Sequence, residues 1–348
     1  MENTATSFDL LNYSGMLFCK GNVKTPFSTM IGGKSREAKG WKFHTSLGYD
    51  PGGGTSQPAI SEAASVKAPE PNHVGRTPNS NVCQIFQDSV SITYGKLSSQ
   101  EQLSGVNLAG AAPNPASEID FQVAQTMIRI SKDIEYTFLN GVYQESTDKN
   151  TPYKTRGILN AIESNVITAG GNGLTYWQVA RLHAMISGAG GNPDGLVLMA
   201  NPIHILQFNG DAKANGLTVV ENSRNINGIN VTSIMTPTGL IGIAGNYHMP
   251  VGQTMLFDPV ICAPAMLPVP EKGNFFLEPL AKSGASEDYQ IYGQAGLDYG
   301  AEWYHGKITG LATEFDETEY QRKVYVTGGT LNMTTAAAAN EAAANEGE

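Results

Sequence analysis

The sequence predicts an α+β fold with long extended segments, and three patterns support this. Apolar residues recur every three or four positions between residues 116 and 140, which predicts one long helix. Residues 82–94 alternate with period two, which predicts a strand. Residues 48–80 contain three consecutive glycines and five prolines, which is typical of a long projecting loop. Beyond residue 155, short strand and helix patterns alternate, as they do in an α/β lobe.

Residues 1–40 are predicted to form an N-terminal arm. Their short apolar clusters stand among Gly, Asn and Pro, so we expect an extended segment that borrows its partner surface from elsewhere. Residues 1–42 carry six bases and three acids, a local charge of +3, whereas residues 308–348 carry seven acids and two bases, a local charge of −5. Such ends suit contact between neighbouring copies, with two solvated termini as the alternative.

The projecting loop is predicted to lie between two strands. Before it, Trp41, Phe43 and Thr45 alternate with polar residues. After it, the row from Val82 to Tyr94 alternates over twelve residues. Two strands around a Gly/Pro-rich excursion predict a hairpin arm over residues 41–96.

The long helix is predicted over residues 116–140. Ser117 is a candidate N-cap with Asp120 at the third helical position, and Gly141 is a candidate C-terminal stop. The predicted apolar face consists of Ile119, Val123, Met127, Ile130, Ile134 and Phe138.

The remaining chain is predicted to fold as an α/β lobe with returning strands. We expect a helix at 175–187, a buried strand at 196–200 and a short helix with Asn201 as its cap and Pro202 at its first position. Asn227-Gly228 predicts a tight turn. Short strands are expected at 219–220, 231–235, 240–244, 254–257 and 265–269, more strand pattern follows at 273–312, and residues 331–348 are an Ala-rich tail of low complexity.

Composition narrows the class of function. Charged residues make up 16% of the 348 residues, against about 25% in an average soluble protein. This favours a surface that meets protein, and the net charge of −10 argues against a whole-protein polyanion binder. Three widely spaced cysteines fit neither a disulfide framework nor a zinc site, so we expect a reducing compartment. We see no signal peptide and no apolar run near the ~18 residues of a membrane span, so we expect no membrane partner.

The sequence offers little chemistry. The six histidines show no metal-ligand spacing, and no serine or cysteine has a recognisable nucleophile context. Residues 28–35, STMIGGKS, resemble a phosphate-binding loop, but the first glycine is replaced by Ser28 and no helix pattern follows Lys34. The glycines at 169–173 and 188–191 are better explained as loops and helix stops. We therefore expect no catalytic residue, no cofactor and no metal site.

Specific strings then point to a family. NVCQIFQDSVSITYGK (81–96), DIEYTFLNGVYQ (133–144), KTRGILNAI (154–162), ICAPAMLPVP (261–270) and the segment 272–311 resemble the major capsid proteins of tailed bacteriophages with the Hong Kong 97 capsid fold, in the SU-ten-type branch. The resemblance runs from about Phe8 to Ala312.

The resemblance implies both an architecture and a function. It implies an N-arm (1–40), an extended loop with its strands (41–96), a peripheral domain with a spine helix (97–154), an axial domain (155–285), returning peripheral strands (286–330) and a tail (331–348). The implied function is self-assembly into homopentamers and homohexamers that form an icosahedral head around double-stranded DNA, which the shell contacts weakly. Implied partners are a portal, a decoration protein and, since the resemblance begins so near residue 1, a separate scaffolding protein. We expect assembly in the host cytoplasm and a final location in the virion.

Some relatives join their subunits through a Lys–Asn isopeptide bond, and Lys67 is the one obvious lysine candidate in the loop. No motif designates its partner, so we expect no crosslink. The inter-subunit contact residues that we expect are Lys20, Lys24, Lys34, Arg36, Trp41 and Lys67. The alternatives are an encapsulin-like cellular compartment and an α/β enzyme that binds a nucleotide near Lys34.

Overall fold

The computed structural model describes residues 24–48, 57, 59–68, 71, 73–98, 118–214, 222–226, 229–282, 284–315, 324–326 and 329–331. The α-helices within these residues are α1 Pro26–Ile31, α2 Glu62–Ser65, α3 Tyr94–Ser98, α4 Glu118–Asn140, α5 Ile158–Ala161, α6 Tyr176–Gly188 and α7 Pro202–Ala214. The strands are β1 Arg36–Glu37, β2 Lys42–Gly48, β3 Thr77–Val82, β4 Gln84–Thr93, β5 Val166–Thr168, β6 Val197–Ala200, β7 Asn222–Ile226, β8 Ile229–Thr236, β9 Gly239–Gly245, β10 Gln253–Phe257, β11 Ala263–Met266, β12 Phe275–Pro279, β13 Ser286–Asp298, β14 Gly306–Thr309, β15 Val324–Val326 and β16 Gly329–Leu331.

A mixed seven-stranded sheet forms the lobe that the sequence predicts as α/β. Its order is β5-β14-β10-β6-β9-β8-β7. Strand β6 is apolar and buried along its length, and β10 is buried from Thr254 to Phe257, because both faces of the sheet are covered. Met199 faces a core shared with α1 and α4, whereas Leu198 faces a second core formed with α6 and α7.

The second large sheet is built around β13. This strand pairs antiparallel with β4, β11 and β12, and β1 adds to β11 in parallel. Phe86, Val90 and Ile92 of β4 are buried, whereas Ile85 on the opposite row is 46% exposed. The period-two pattern therefore correctly assigns the inward face of this strand.

The hairpin prediction is wrong about which strand closes the loop. β2 pairs with β3, residues 77–82, which the sequence places mostly inside the loop. The strand predicted from residue 82 onward is mainly β4, and it pairs with β13 in the other sheet. The sequence TPNSNV of β3 is mostly polar, so no apolar alternation marks it as a strand.

The long helix is present as α4, but its buried face differs from the prediction. Ile130 and Phe138 are buried as expected, whereas Met127 is 42% exposed. The buried stripe also includes Thr126 and Glu135, two polar residues that apolar periodicity cannot find. Ser117 lies outside the described residues.

Gly141 follows the last helical residue, as predicted, but for a different reason. Its φ is not among the positive values found at other glycines, so it is no left-handed cap. A Cβ at this position would overlap the carbonyl oxygens of Thr155 and Thr137. Glycine is required here because the chain at Thr155–Gly157 passes directly against the end of α4.

The structure confirms some of the remaining element predictions and corrects others. Helix α6 and the short strands at 231–235, 240–244 and 254–257 are present, whereas β11 ends at Met266 rather than at residue 269. The turn at 227–228 and the strand at 219–220 lie outside the described residues. The arm prediction is wrong for its last part, since Phe27, Met30 and Ile31 are fully buried in the central core rather than extended.

Candidate assembly surface at the extended loop

The loop between β2 and β3 has little cover from its own chain. Its described residues Gln57, 59–68, 71 and 73–76 are all exposed. They include the short helix α2, which Ser61 caps by accepting a hydrogen bond from the Ala64 amide at 3.2 Å. Ile60 and Val66 are 74% and 87% exposed. When another surface covers apolar side chains in such a position, the free energy of the system falls.

The base of this loop is held by a buried asparagine. The Asn81 Nδ2 atom donates to the carbonyls of Arg156 and Leu297 at 3.0 and 2.8 Å. Its Oδ1 atom accepts from the Arg156 and Val82 amides at 2.8 and 2.9 Å. The side chain is fully buried, so β3, β13 and the segment at Arg156 are fixed to one another by a saturated polar contact.

Apolar packing supports the same base. Trp41 stacks on Tyr153 with ring centroids 5.0 Å apart and planes 8° apart. Phe43 packs in a small core with Cys83 and Ala265. The base of the hairpin is thus packed around Asn81, Trp41 and Phe43, and it is called the root of the loop.

Close backbone approach is part of this packing. A Cβ on Gly296 of β13 would lie 2.7 Å from the Val82 carbonyl oxygen and 2.9 Å from the Phe43 ring. Glycine at this position therefore lets the hairpin root sit directly on β13.

A β-bulge at Thr45 sets the direction of the hairpin. The β2–β3 register shifts between His44 and Ser46, so Thr45 has no partner residue on β3. A bulge bends the strand and increases its twist, and it re-aims the chain beyond it.

Ion pairs lie around the root. Arg36 contacts Asp298 at 2.5 Å and donates to the His44 carbonyl at 2.8 Å. Lys42 contacts Glu145 at 2.9 Å, and the hydrogen bond between them raises the pKa of Lys42 and lowers the pKa of Glu145. The Lys42–Glu145 pair is exposed enough that water screens it, so it orients the root more than it stabilises it, whereas the Asp298 carboxylate of the other pair is mostly buried.

The structure brings two of the six expected contact residues to this root, and Lys34 contacts a different segment. Arg36 and Trp41 make the contacts above, and the Lys34 Nζ donates to the Val260 carbonyl at 3.0 Å. Lys67 is exposed in the loop beyond α2, and Lys24 is exposed at the start of the described chain. Lys20 lies outside the described residues. Asn81 was missed, because an asparagine in a polar string carries no sequence signal for burial.

The Lys34 segment does not have the geometry of a phosphate-binding loop. Helix α1 precedes the glycines, and the 3₁₀ turn Gly32–Lys34 leads into strand β1 instead of into a helix. No helix N-terminus therefore follows Lys34 to face a phosphate.

A cysteine and a histidine that the sequence did not connect lie together in the core. Cys262 Sγ is 3.9 Å from His305 Nε2, but this ring nitrogen donates to the Tyr299 carbonyl at 2.7 Å, and Nδ1 accepts from the Asp258 amide at 3.3 Å. Burial lowers the pKa of His305 and raises the pKa of the Cys262 thiol well above its usual value. The thiol therefore stays protonated and inaccessible, unlike a catalytic nucleophile.

The described ranges contain neither a metal-binding cluster nor a membrane-spanning helix. No group of three or more His, Cys, Asp or Glu side chains among those residues is arranged to hold a metal ion. None of the helices described is both long and apolar enough to cross a membrane.

Solved structures with a similar fold are protein shells. The holo-SrpI encapsulin complex from Synechococcus elongatus PCC 7942 matches with a TM-score of 0.58 at 10% identity, over 92% of this chain and 96% of that chain. The cyanophage A-1(L) capsid asymmetric unit matches with 0.54 at 10% identity, over 88% and 99%. A structure from Mycobacterium phage Bobi matches with 0.54 at 12% identity, over 86% and 95%. These likenesses define the fold as that of Hong Kong 97-type capsids and encapsulins.

The family follows from the sequence comparison. The family model described as SU10 major capsid protein matches residues 1–312, and the chain belongs to this family. No curated protein sequence matches the chain. The protein is a phage major capsid protein, a structural component of the virion whose copies assemble into a shell.

Proposed function

We propose that copies of this chain assemble into pentamers and hexamers, which close an icosahedral head around double-stranded DNA. The exposed hairpin loop carries the proposal. It offers Ile60 and Val66 to solvent while its root is held by Asn81, so it is suited to reach over an adjacent subunit. A rigid root lowers the ordering cost of that contact.

The domain assignment is part of the proposal. Residues 1–40 are assigned to the N-arm, whose last part around Phe27, Met30 and Ile31 is docked in the core. Residues 41–96 act as the extended loop, 97–154 and 286–330 as the peripheral domain, 155–285 as the axial domain, and 331–348 as a tail. The sheets do not follow these boundaries strictly. β14 lies in the seven-stranded sheet, whereas β11 and β12 lie in the sheet of β13. Each of the two proposed domains thus contributes at least one strand to the main sheet of the other.

Six residues are proposed to contribute to contacts between copies. Their charges and aromatic surface suit neighbours with a negative or apolar face. They are Lys20, Lys24, Lys34, Arg36, Trp41 and Lys67. We expect no isopeptide bond at Lys67, and a single monomer band after boiling in SDS is the expected observation, whereas a ladder of bands would contradict it.

The proposal also includes further partners. A separate scaffolding protein, a portal and a decoration protein would complete the head, which assembles in the host cytoplasm. Uncompensated basic side chains on the shell would bind DNA phosphates. The chain has a net charge of −10, so acidic residues outnumber basic ones and contact with the encapsidated DNA stays weak. The role is structural, with no cofactor and no catalysis.

Electron microscopy of the expressed chain tests the assembly. Wild-type protein is expected to give capsomers or closed polyhedral shells. A chain that stays monomeric under all conditions would overturn the proposal.

A loop variant tests the observation on which the proposal rests. Ile60→Asp with Val66→Asp is expected to reduce shell yield severely while the subunit stays folded, because both side chains already face solvent in one chain. Gln57→Asp with Ala68→Asp is the matched control, since it places two charges at exposed loop positions without removing a large apolar group. Equal yields from the two variants would contradict the role of the loop.

An encapsulin-like compartment is the second candidate. The TM-score of 0.58 to the encapsulin shell favours it, although the likeness shows the fold alone. Particle contents discriminate the two, since a phage head yields DNA and a compartment yields an enzyme cargo.

A further inference from the structure

The start of the described chain is docked into the subunit. Phe27 packs against Phe257 of β10 with ring centroids 5.2 Å apart, and Met30 and Ile31 join the same core. The residue before α1, Thr25, makes no side-chain cap bond to the helix. The first amides of a helix have no partner within it, so another group must satisfy them.

That group is Glu135 in the C-terminal part of α4, and its side chain is fully buried. Its Oε1 atom accepts from the Phe27 amide at 2.9 Å. Its Oε2 atom accepts from the Ser28 amide at 2.7 Å and from the Ser28 hydroxyl at 2.6 Å. A carboxylate 107 residues along the chain thus caps the helix in place of a local residue.

Asn246, directly after β9, completes the cluster. Its Nδ2 atom donates to Glu135 Oε1 at 2.6 Å. The orientation of its amide is fixed because Oδ1 accepts from the His248 amide at 2.9 Å. Every partner of Glu135 is a donor, which matches a carboxylate that only accepts, and such bonds compensate the cost of its burial.

We infer that Glu135 is a positioning residue for shell assembly, which clasps the root of the N-arm to the long helix and to the seven-stranded sheet. The clasp fixes the position of α1, to which the preceding residues of the N-arm are attached. The inference rests on the proposed function, in which the arm lies across neighbouring copies. Without the clasp, α1 would be held less firmly, and the correct neighbour contacts would form less often.

Glu135→Gln tests this inference at nearly constant volume. The glutamine side chain has only one accepting oxygen. Its NH₂ group must therefore face the Phe27 amide or the Ser28 amide, and these backbone N–H groups are donors that cannot accept a hydrogen bond. Loss of charge-assisted bonds predicts that hydrogen-exchange protection of residues 26–31 falls about tenfold or more. Protection of β6, at Val197–Ala200, is expected to stay unchanged, and the yield of closed shells is expected to fall.

The matched control is Asp133→Asn, two residues earlier on α4, where the carboxylate is exposed. It removes the same charge and is expected to change neither exchange nor shell yield. Ser28→Ala is a milder second variant, because it removes one of the four bonds and keeps both amides. It is expected to weaken protection of residues 26–31 by a smaller factor even where Glu135→Gln does not fold.

The outcomes separate this inference from the proposed function. Wild-type protein that forms no shell contradicts the proposed function, whatever the variants do. Wild-type shells together with unchanged exchange in residues 26–31 of Glu135→Gln, or of Ser28→Ala where the first variant does not fold, overturn the clasp. Lost protection with normal shells would show that Glu135 is structural only, and this also overturns its role in assembly.

Discussion

Asn81→Ala is the sharpest test of how the extended loop is anchored. The substitution removes a side chain that is fully buried and makes four hydrogen bonds. It leaves the carbonyls of Arg156 and Leu297 and the amides of Arg156 and Val82 without this partner, in a space too enclosed for ready access of water. The side chain that replaces it offers no polar atom.

The expected cost follows from those four backbone groups. An unsatisfied buried polar group costs about 1–3 kcal/mol, and neighbouring groups relax together, so we expect a total loss of about 3–5 kcal/mol. This is a large share of the ~5–15 kcal/mol that stabilises a typical domain.

Urea unfolding of unassembled subunits measures this loss. The midpoint is expected to fall with the m value unchanged, since the folded structure loses contacts but not compactness. Asn79→Ala on the same strand is the control, because its single side-chain bond, to the Ser46 hydroxyl, is 3.4 Å long and only partly buried. A loss below about 1 kcal/mol, or one equal to that of the control, would refute the view that Asn81 holds the loop root.

Three further predictions concern packing, pH and thiol chemistry. Gly141→Ala is expected to cost about 1–3 kcal/mol or more, because its Cβ would overlap the Thr155 carbonyl. Stability is expected to fall as pH drops below about 6.5, because burial lowers the pKa of His305 and the unfolded chain then binds the extra proton, with a slope of up to about 1.4 kcal/mol per pH unit. Burial raises the pKa of Cys83 to about 12, so its thiol is expected to resist alkylation at pH 8 until urea unfolds the subunit.

Each of these has its own control. Gly32→Ala should be neutral or slightly stabilising, since nothing lies within 4 Å of its Cβ and its φ is −62°; an equal loss in both glycine variants would argue against the steric account. His305→Asn should flatten the acid branch of the stability profile, and an unchanged slope would assign that branch to other groups. The thiol assay uses a Cys19→Ser background, and fast labelling of Cys83 without urea would contradict its burial.

Sequence reasoning succeeded where apolar side chains repeat with one period. The long helix at Glu118–Asn140 and the inward row of β4 follow from such repeats, because burial of a face selects them directly. The family was also reached from specific strings of sequence.

Sequence reasoning failed where polar residues form strands or hold distant segments together by hydrogen bonds. Strand β3 is polar and shares its alternation with β4, so the pattern could not tell which sheet each strand joins. Glu135 and Asn81 are buried because of donors and acceptors more than 70 residues away in the chain. No local pattern reports such partners, and a carboxylate on a helix is normally predicted to face water.

The root of the extended loop depends on a part of the chain that is synthesised late. Asn81 is bound to Leu297, 216 residues further along the chain, and β4 pairs with β13. Contacts this distant in sequence form late, since the intervening chain must exist before the loop can close. On the ribosome, the loop therefore cannot acquire this root before Leu297 has been synthesised.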